Sequence, residues 1–198
     1  HLGMTGVIKL LKKNINNKTS KHDHFEIVFK NGDVLRYNDV RKFGSVHWAE
    51  DLKKHFLTKD LGVEPLSKDF NFEYLYKISK QKNVSIKNLI MNQKILTGVG
   101  NIYASESLYL SKIHPNKKSY RLTKGNHREL VLSIKKVLKK AIKSGGTSLK
   151  DFKNIDGTPG YFKQKLLIYG KEYCKCGEKI KNIKINGRAS FFCALCQR

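Results

Sequence analysis

No cysteine occurs before residue 174, which excludes a fold stapled throughout by disulfides. No apolar run approaches the roughly 20 residues that a membrane-spanning helix needs. The start carries no charged-then-apolar leader, so membrane work is disfavoured. Acidic side chains are scarce: 16 Asp and Glu stand against 40 Lys and Arg, a formal net charge of +24. A surface of that sign attracts polyanions, nucleic acid foremost. A general lysine bias, visible in the many Lys-Asn pairs, would give the same numbers. The chain also opens without Met. Its apolar HLGMTG reads as the middle of a sheet, and the expectation is a piece of a larger protein with partners before residue 1.

What is present argues for order. Hydrophobic residues make up 39% of 198, with nine Tyr and ten Phe, enough for one sizeable core or two small ones. Residues 2–10, 24–29, 33–37 and 43–48 read as short strands, the middle two joined at Asn31-Gly32. Beyond Pro65 the period changes. Helices are expected over 69–80, over 86–91 behind a Ser85 cap, from Asn101 to about Leu110, and over 124–143. Gly145-Gly146 should stop the last one. A short helix or strand is expected at 162–169.

Three stretches could carry chemistry. LTGVGNIYASE (96–106) sets two glycines before a helix, where backbone N–H groups can approach a phosphate and Asn101 can reach it with its amide. An ordinary tight turn is the plainer reading. YNDVRKFG (37–44) puts Arg41 and Lys42 beside Phe43, a pairing suited to a disturbed base stack. Core packing for Phe43, and for Met4, is the plainer reading there. The four cysteines, Cys174, Cys176, Cys193 and Cys196, border a hairpin expected over 179–185 and 189–193 with Asn186-Gly187 at its turn. That would gather both pairs for one tetrahedral zinc ion, with Gly177 easing the one-residue gap in C-K-C. Disulfides or idle thiols are the alternatives. Four thiolates leave no open position, so a bound zinc would be structural, and Arg188 at the turn could project a guanidinium toward phosphate.

From HLGMTG through KHDHFEIVF, YNDVRKFG, GVEPLS, LTGVGNIYASESLYLSKIHP, SGGTSLKDF and DGTPGYF to GRASFFCALCQR, the chain resembles the formamidopyrimidine-DNA glycosylase / endonuclease VIII family, in its 8-oxoguanine-removing branch. The resemblance implies an α+β multidomain fold. A partial N-terminal β-sandwich is expected over 1–60, a helical domain with a helix–two-turn–helix over 61–165, and a β-hairpin zinc finger over 166–198. It implies a monomer in a bacterial cytoplasm that removes oxidised purines from double-stranded DNA and cuts the abasic site by β,δ-elimination. By the same resemblance Met4, Arg41 and Phe43 fill the void left by a flipped base. Lys87, Asn101 and Arg188 lie along the DNA backbone, and Thr158, Gly160 and Tyr161 belong to a loop closing over the everted base. The four cysteines hold one Zn²⁺. Val40 stands for the usual Pro, Lys42 for the usual Arg, and Thr158 where Lys is frequent. The family's catalytic N-terminal Pro and Glu are expected upstream of His1, together with a β-domain Lys. The 198 residues alone are therefore expected to be inactive, with a non-catalytic module for damaged or bent duplex as the alternative.

Overall fold

The computed structural model describes residues 1–13, 18–146 and 162–198. Two compact units result: His1–Glu50 with Ala141–Lys165, and Asp51–Lys140 with Leu166–Arg198.

The first unit holds an antiparallel sheet in the order β1-β3-β2, with β1 Gly6–Leu11, β2 Asp23–Val28 and β3 Val34–Asp39. The expected hairpin closes at Asn31-Gly32, where the Gly32 N–H donates to Phe29 O at 2.8 Å. On β3, Arg36 is 6% exposed and ion-paired to Asp23 and Glu26. Phe25, Ile27, Leu2, Ile8, Leu35 and Tyr37 line an apolar groove of about 250 Å³. The strand expected at 43–48 does not form. Its backbone–backbone bonds run to the chain start rather than to a strand, Ser45 N–H to His1 O at 2.8 Å and the His1 amine to Ser45 O at 3.0 Å. Alternating side chains cannot make a strand without a neighbour to complete the ladder.

The second unit contains the main apolar core. Its helices are α1 Phe72–Lys80, α2 Ile86–Ile90, α3 Asn101–Leu110 and α4 Lys124–Lys143, the last three residues of α4 falling in the first unit. Asn71 caps α1 by accepting the Tyr74 N–H at 2.9 Å, and Ser85 caps α2 through the Asn88 N–H at 3.3 Å. Each satisfies an N–H that the first turn leaves without a partner. Leu130, Ile134 and Leu138 recur along α4 at helical spacing and close over Phe70, Leu75, Ile86, Leu89 and Leu108. Gly145 and Gly146 cap α4 by donating to Ile142 O and Ala141 O. At 162–169 the chain forms only a short 3₁₀ turn, Phe162–Lys165.

This unit also holds a two-stranded hairpin, β4 Lys181–Ile185 and β5 Arg188–Phe192. Asn186 and Gly187 have φ of 48° and 72°, the primed turn that matches strand twist. The expected turn and strands are therefore present. No described helix is long and apolar enough to cross a membrane.

Candidate functional site

The first unit builds an exposed ledge around one buried carboxylate. Asp39 is 0% exposed and accepts four donors: the Thr5 and Tyr37 hydroxyls, the Arg41 N–H at 3.2 Å and the Gly44 N–H at 2.9 Å. The Thr5 hydroxyl and Gly44 N–H lead in holding its carboxyl well below the ordinary value of 3.8. Gly44 has no alternative: a Cβ there would lie 2.0 Å from the Tyr37 hydroxyl oxygen. Between Arg41 and Phe43, Lys42 takes a left-handed φ of 56°, a conformation costing a side-chain-bearing residue roughly 1–2 kcal/mol. The resulting kink lays the Arg41 guanidinium 4.5 Å from the Phe43 ring centroid and 3.4 Å from Met4 Sδ. Met4 and Phe43 are 68% and 57% exposed, so neither is the core residue that the plainer reading allowed.

In the second unit the hairpin is fastened to α2 and α3. Lys87, on α2, is 1% exposed, and its ammonium donates to Ala189 O at 2.9 Å and Ser190 Oγ at 2.7 Å. The Ser190 hydroxyl in turn donates to Arg188 O at 3.2 Å. Burial, and then the nearby Arg188 charge, bring the Lys87 pKa down to about 8. Asn101 opens α3, and its Nδ2 donates to Ala189 O at 3.0 Å and the Tyr169 hydroxyl at 3.2 Å. Lys87 and Asn101 therefore meet at one carbonyl, beside Arg188. The Arg188 side chain itself is exposed and borders a groove of about 460 Å³ lined by Lys82, Asn88, Asn92 and Asn186.

Glu106 on α3 is 2% exposed and accepts the N–H groups of Leu167, Ile168 and Tyr169 at 2.8–2.9 Å. It anchors the stretch of chain leading into the cysteine module. Sequence reasoning passed over Asp39, Thr5 and Glu106. For Asp39 and Glu106 the available signal was a lone acidic residue in YNDVRKFG and in LTGVGNIYASE; nothing local marked Thr5.

The four Cys Sγ atoms lie within 4.8 Å of one another, with pairs at 3.5, 3.6 and 3.9 Å. Four sulfurs at about 2.3 Å from one zinc would sit about 3.8 Å apart, so the cluster fits a structural Zn²⁺. Hydrogen bonding to Cys176 and Cys193 pushes Cys196 up to about 12, because crowded thiolates repel unless a cation shares them. Burial opposes ionisation of Cys174, yet the Cys176 N–H and the Tyr109 hydroxyl bring it down to about 6. The shortened knuckle closes as a turn, Gly177 N–H to Cys174 O at 2.9 Å, with Gly177 at φ 87°. Only a residue without Cβ takes that angle at little cost. The module packs through Tyr169 on Phe191 and His114 on Phe192, with ring centroids 4.8 and 4.4 Å apart. Gln197 donates to Ile113 O at 2.9 Å. Thr158, Gly160 and Tyr161 lie outside the described residues.

A small antiparallel sheet, a four-helix unit and a four-cysteine hairpin docked on two of its helices define a class of protein: the zinc-finger, helix–two-turn–helix glycosylases. The formamidopyrimidine-DNA glycosylase H2TH domain model matches residues 61–153, and the model of the N-terminal domain of the same enzyme matches residues 1–46. The chain belongs to the formamidopyrimidine-DNA glycosylase family. It is 50% identical over 201 residues to the formamidopyrimidine-DNA glycosylase of Histophilus somni strain 2336, covering 100% of this chain and 74% of that one. Against the enzyme of the same name from Proteus mirabilis the identity is 47% over 200 residues, covering 100% and 72%. Among solved structures, the Lactococcus lactis Fpg in complex with DNA containing an abasic site superposes with a TM-score of 0.87 at 36% identity, covering 100% of this chain and 73% of that one. MutM (Fpg) from Thermus thermophilus gives 0.87 at 33%, covering 100% and 74%.

The N-terminal match overturns one expectation. Residues 1–46 are sequence of the family's N-terminal domain, and β1, β2 and β3 fold there as a sheet. The expectation of a chain lacking its N-terminal catalytic segment does not stand. The forecasts drawn from it, an inactive 198-residue chain and a glycosylase stripped of its catalytic part, fall with it.

Proposed function

We propose that this protein is a base-excision repair DNA glycosylase and abasic-site lyase, acting on oxidised purines such as 8-oxoguanine and formamidopyrimidines in double-stranded DNA. The observation that carries the reading is the pairing of two separately built features in a chain of this family. One is the exposed Met4, Arg41 and Phe43 ledge. The other is Arg188, exposed on the zinc hairpin beside a groove that Lys82, Asn88 and Asn92 help to line.

Each feature suits a different task. Phe43 and Met4 supply apolar bulk and Arg41 a guanidinium, the means to occupy a gap in a base stack and hydrogen-bond to the base left without a partner. Arg188 offers a planar fork of donors for phosphate oxygens. Asn101 and Lys87 belong to the DNA-gripping side of the helical unit in this reading, and Thr158, Gly160 and Tyr161 to a loop over the everted base. Zinc supplies no reaction step: its four thiolates fix the hairpin that presents Arg188. Base removal would proceed by attack of an amine on the sugar C1′, the resulting iminium serving as electron sink for elimination. The protein would act as a monomer on chromosomal DNA in a bacterial cytoplasm.

Complexes with DNA carrying an abasic site, or a Fapy-dG lesion, have been solved for the Lactococcus lactis relative, which supports the choice of substrate. The test is borohydride reduction of the zinc-loaded protein mixed with an 8-oxoguanine duplex. A covalent protein–DNA adduct and strand incision are expected. Tight binding to the duplex with neither adduct nor incision would overturn the enzymatic reading.

A further inference from the structure

We propose that Lys87 is a positioning residue for Arg188, acting on the zinc hairpin from within the helical unit rather than as a direct contact to DNA phosphate. The proposal rests on reading Arg188 as a phosphate clamp.

Three observations carry it. The Lys87 side chain is 1% exposed, so its ammonium has no surface to offer to a duplex. Two of its three donors are directed at the hairpin, to Ala189 O and Ser190 Oγ. Ser190 relays the contact, since its hydroxyl donates to the carbonyl of Arg188 itself. A chain of two hydrogen bonds thus runs from α2 to the backbone of the residue whose side chain faces solvent. The Asn101 amide adds a second donor to Ala189 O, and the Ser190 N–H is held by Asn182 Oδ1 at 3.1 Å. The backbone over 188–190 is therefore fixed from both the helical unit and the neighbouring strand.

The geometry also explains why a lysine serves here. Its flexible stem crosses the buried space between α2 and β5, and its ammonium serves two acceptors on consecutive residues. A methionine would fill the stem's volume but release both acceptors. Arg188 would stay in place chemically and lose the backbone that orients it. Guanidinium–phosphate recognition depends on angle as well as reach, so the loss would appear as a weakened phosphate contact.

Counterion release separates the two possible roles. Each phosphate neutralised on B-DNA contributes about 0.9 to the slope of log K against log salt concentration. The measurement is the affinity of zinc-loaded protein for a duplex carrying a tetrahydrofuran abasic analogue, across a salt series. Arg188→Ala should reduce the slope by about 0.9 and Lys87→Met by a similar amount, with affinity at moderate salt falling about tenfold in each. The double variant should match Arg188→Ala alone. Ser190→Ala, a milder change, should move in the same direction by a smaller amount.

Additive slope losses in the double variant would overturn the proposal in favour of a direct phosphate contact by Lys87. A wild-type slope in Lys87→Met would overturn it outright. A wild-type slope in Arg188→Ala would instead reject Arg188 as a phosphate clamp. In that event the backbone amide shifts of Asn186–Ala189 decide the placement claim, and shifts unaltered by Lys87→Met overturn it.

Discussion

Each unit holds its candidate DNA-facing arginine through one buried ion, and the two ions are opposite in kind. Asp39 is an anion that accepts four donors, two of them hydroxyls. Lys87 is a cation whose partners are a neutral carbonyl and a hydroxyl, with the like charge of Arg188 nearby. Every contact Asp39 makes favours its charged form. Burial and the neighbouring guanidinium disfavour that of Lys87. One support is therefore electrostatically settled and the other is loaded close to neutrality. The anchor in the β-rich unit should be indifferent to pH near 7, while the one beneath the zinc hairpin should not.

The largest expected effect comes from removing the metal. The hairpin has five residues in each strand and little core of its own, so the four thiolates and their zinc substitute for one. Chelation should free β5 from Lys87 and lower affinity for an abasic-analogue duplex by on the order of a hundredfold. The sheet around Asp39 should keep its amide protection. Metal analysis before chelation should return one zinc per chain. A hairpin that retained its amide shifts after complete chelation would break the comparison at its root.

Next is the anion itself. Asp39→Asn replaces one acceptor oxygen by a donor facing the Arg41 N–H or the Gly44 N–H, which then loses that acceptor. The ledge should loosen and duplex affinity fall roughly tenfold, with zinc content unchanged. The sign of the acid response follows from the depressed pKa. The stability contributed by Asp39 is fully present above the unfolded value of 3.8 and is lost as pH falls toward the folded value. Acid titration of wild type against Asp39→Asn should show that component only in the wild type. Identical acid transitions would remove Asp39 as the hub.

Much of this framework was legible beforehand, and the limits have physical causes. Helices α1 to α4 and the β4–β5 turn declare themselves through local features: apolar spacing, the Ser85 cap, and Asn186-Gly187. The cysteines gather because the hairpin between them is itself locally coded. The Asn71 cap explains why α1 begins at Phe72 rather than at 69. Residues 43–48 alternate like a strand but meet His1 and the Asp39 carboxylate rather than a neighbouring strand. Long-range partners were the unreadable part. Asp39 meets Thr5 across 34 positions and Lys87 meets Ser190 across 103, distances over which no local pattern carries information. The ledge residues, Arg188 and Lys87 could be singled out, but not Asp39, nor the burial of Lys87 against the hairpin.

The loaded cation gives a smaller effect, of the same sign but in an alkaline window. Its folded pKa of about 8 lies below the unfolded 10.5. Between those values the unfolded chain binds more protons than the folded one, so stability from this group rises with pH across that window. The expected rise is on the order of 1–2 kcal/mol once solvent screening is allowed for. Lys87→Met should flatten it, while Asp39→Asn leaves it intact. Chemical denaturation of the three proteins between pH 7.5 and about 10.5 measures the difference. Equal slopes in wild type and Lys87→Met would show that the ammonium is not strained by its surroundings.

The finest distinction concerns how the hairpin holds its metal. The Tyr109 hydroxyl, from α3, lies 3.2 Å from Cys174 Sγ. Beside a metal-bound thiolate the hydroxyl is the donor, and such outer contacts orient a ligand and temper its charge. Tyr109→Phe removes that donor and leaves the ring, so packing is kept. Zinc should leave up to about tenfold faster to a chelating dye, with duplex affinity within about twofold of wild type, since neither Lys87 nor Ser190 is touched. If affinity fell as far as in Lys87→Met, the metal and the lysine would be one support rather than two. If zinc release were unchanged, the hydroxyl would be packing alone. The expected split, faster metal loss with the grip retained, separates what keeps the hairpin folded from what aims it.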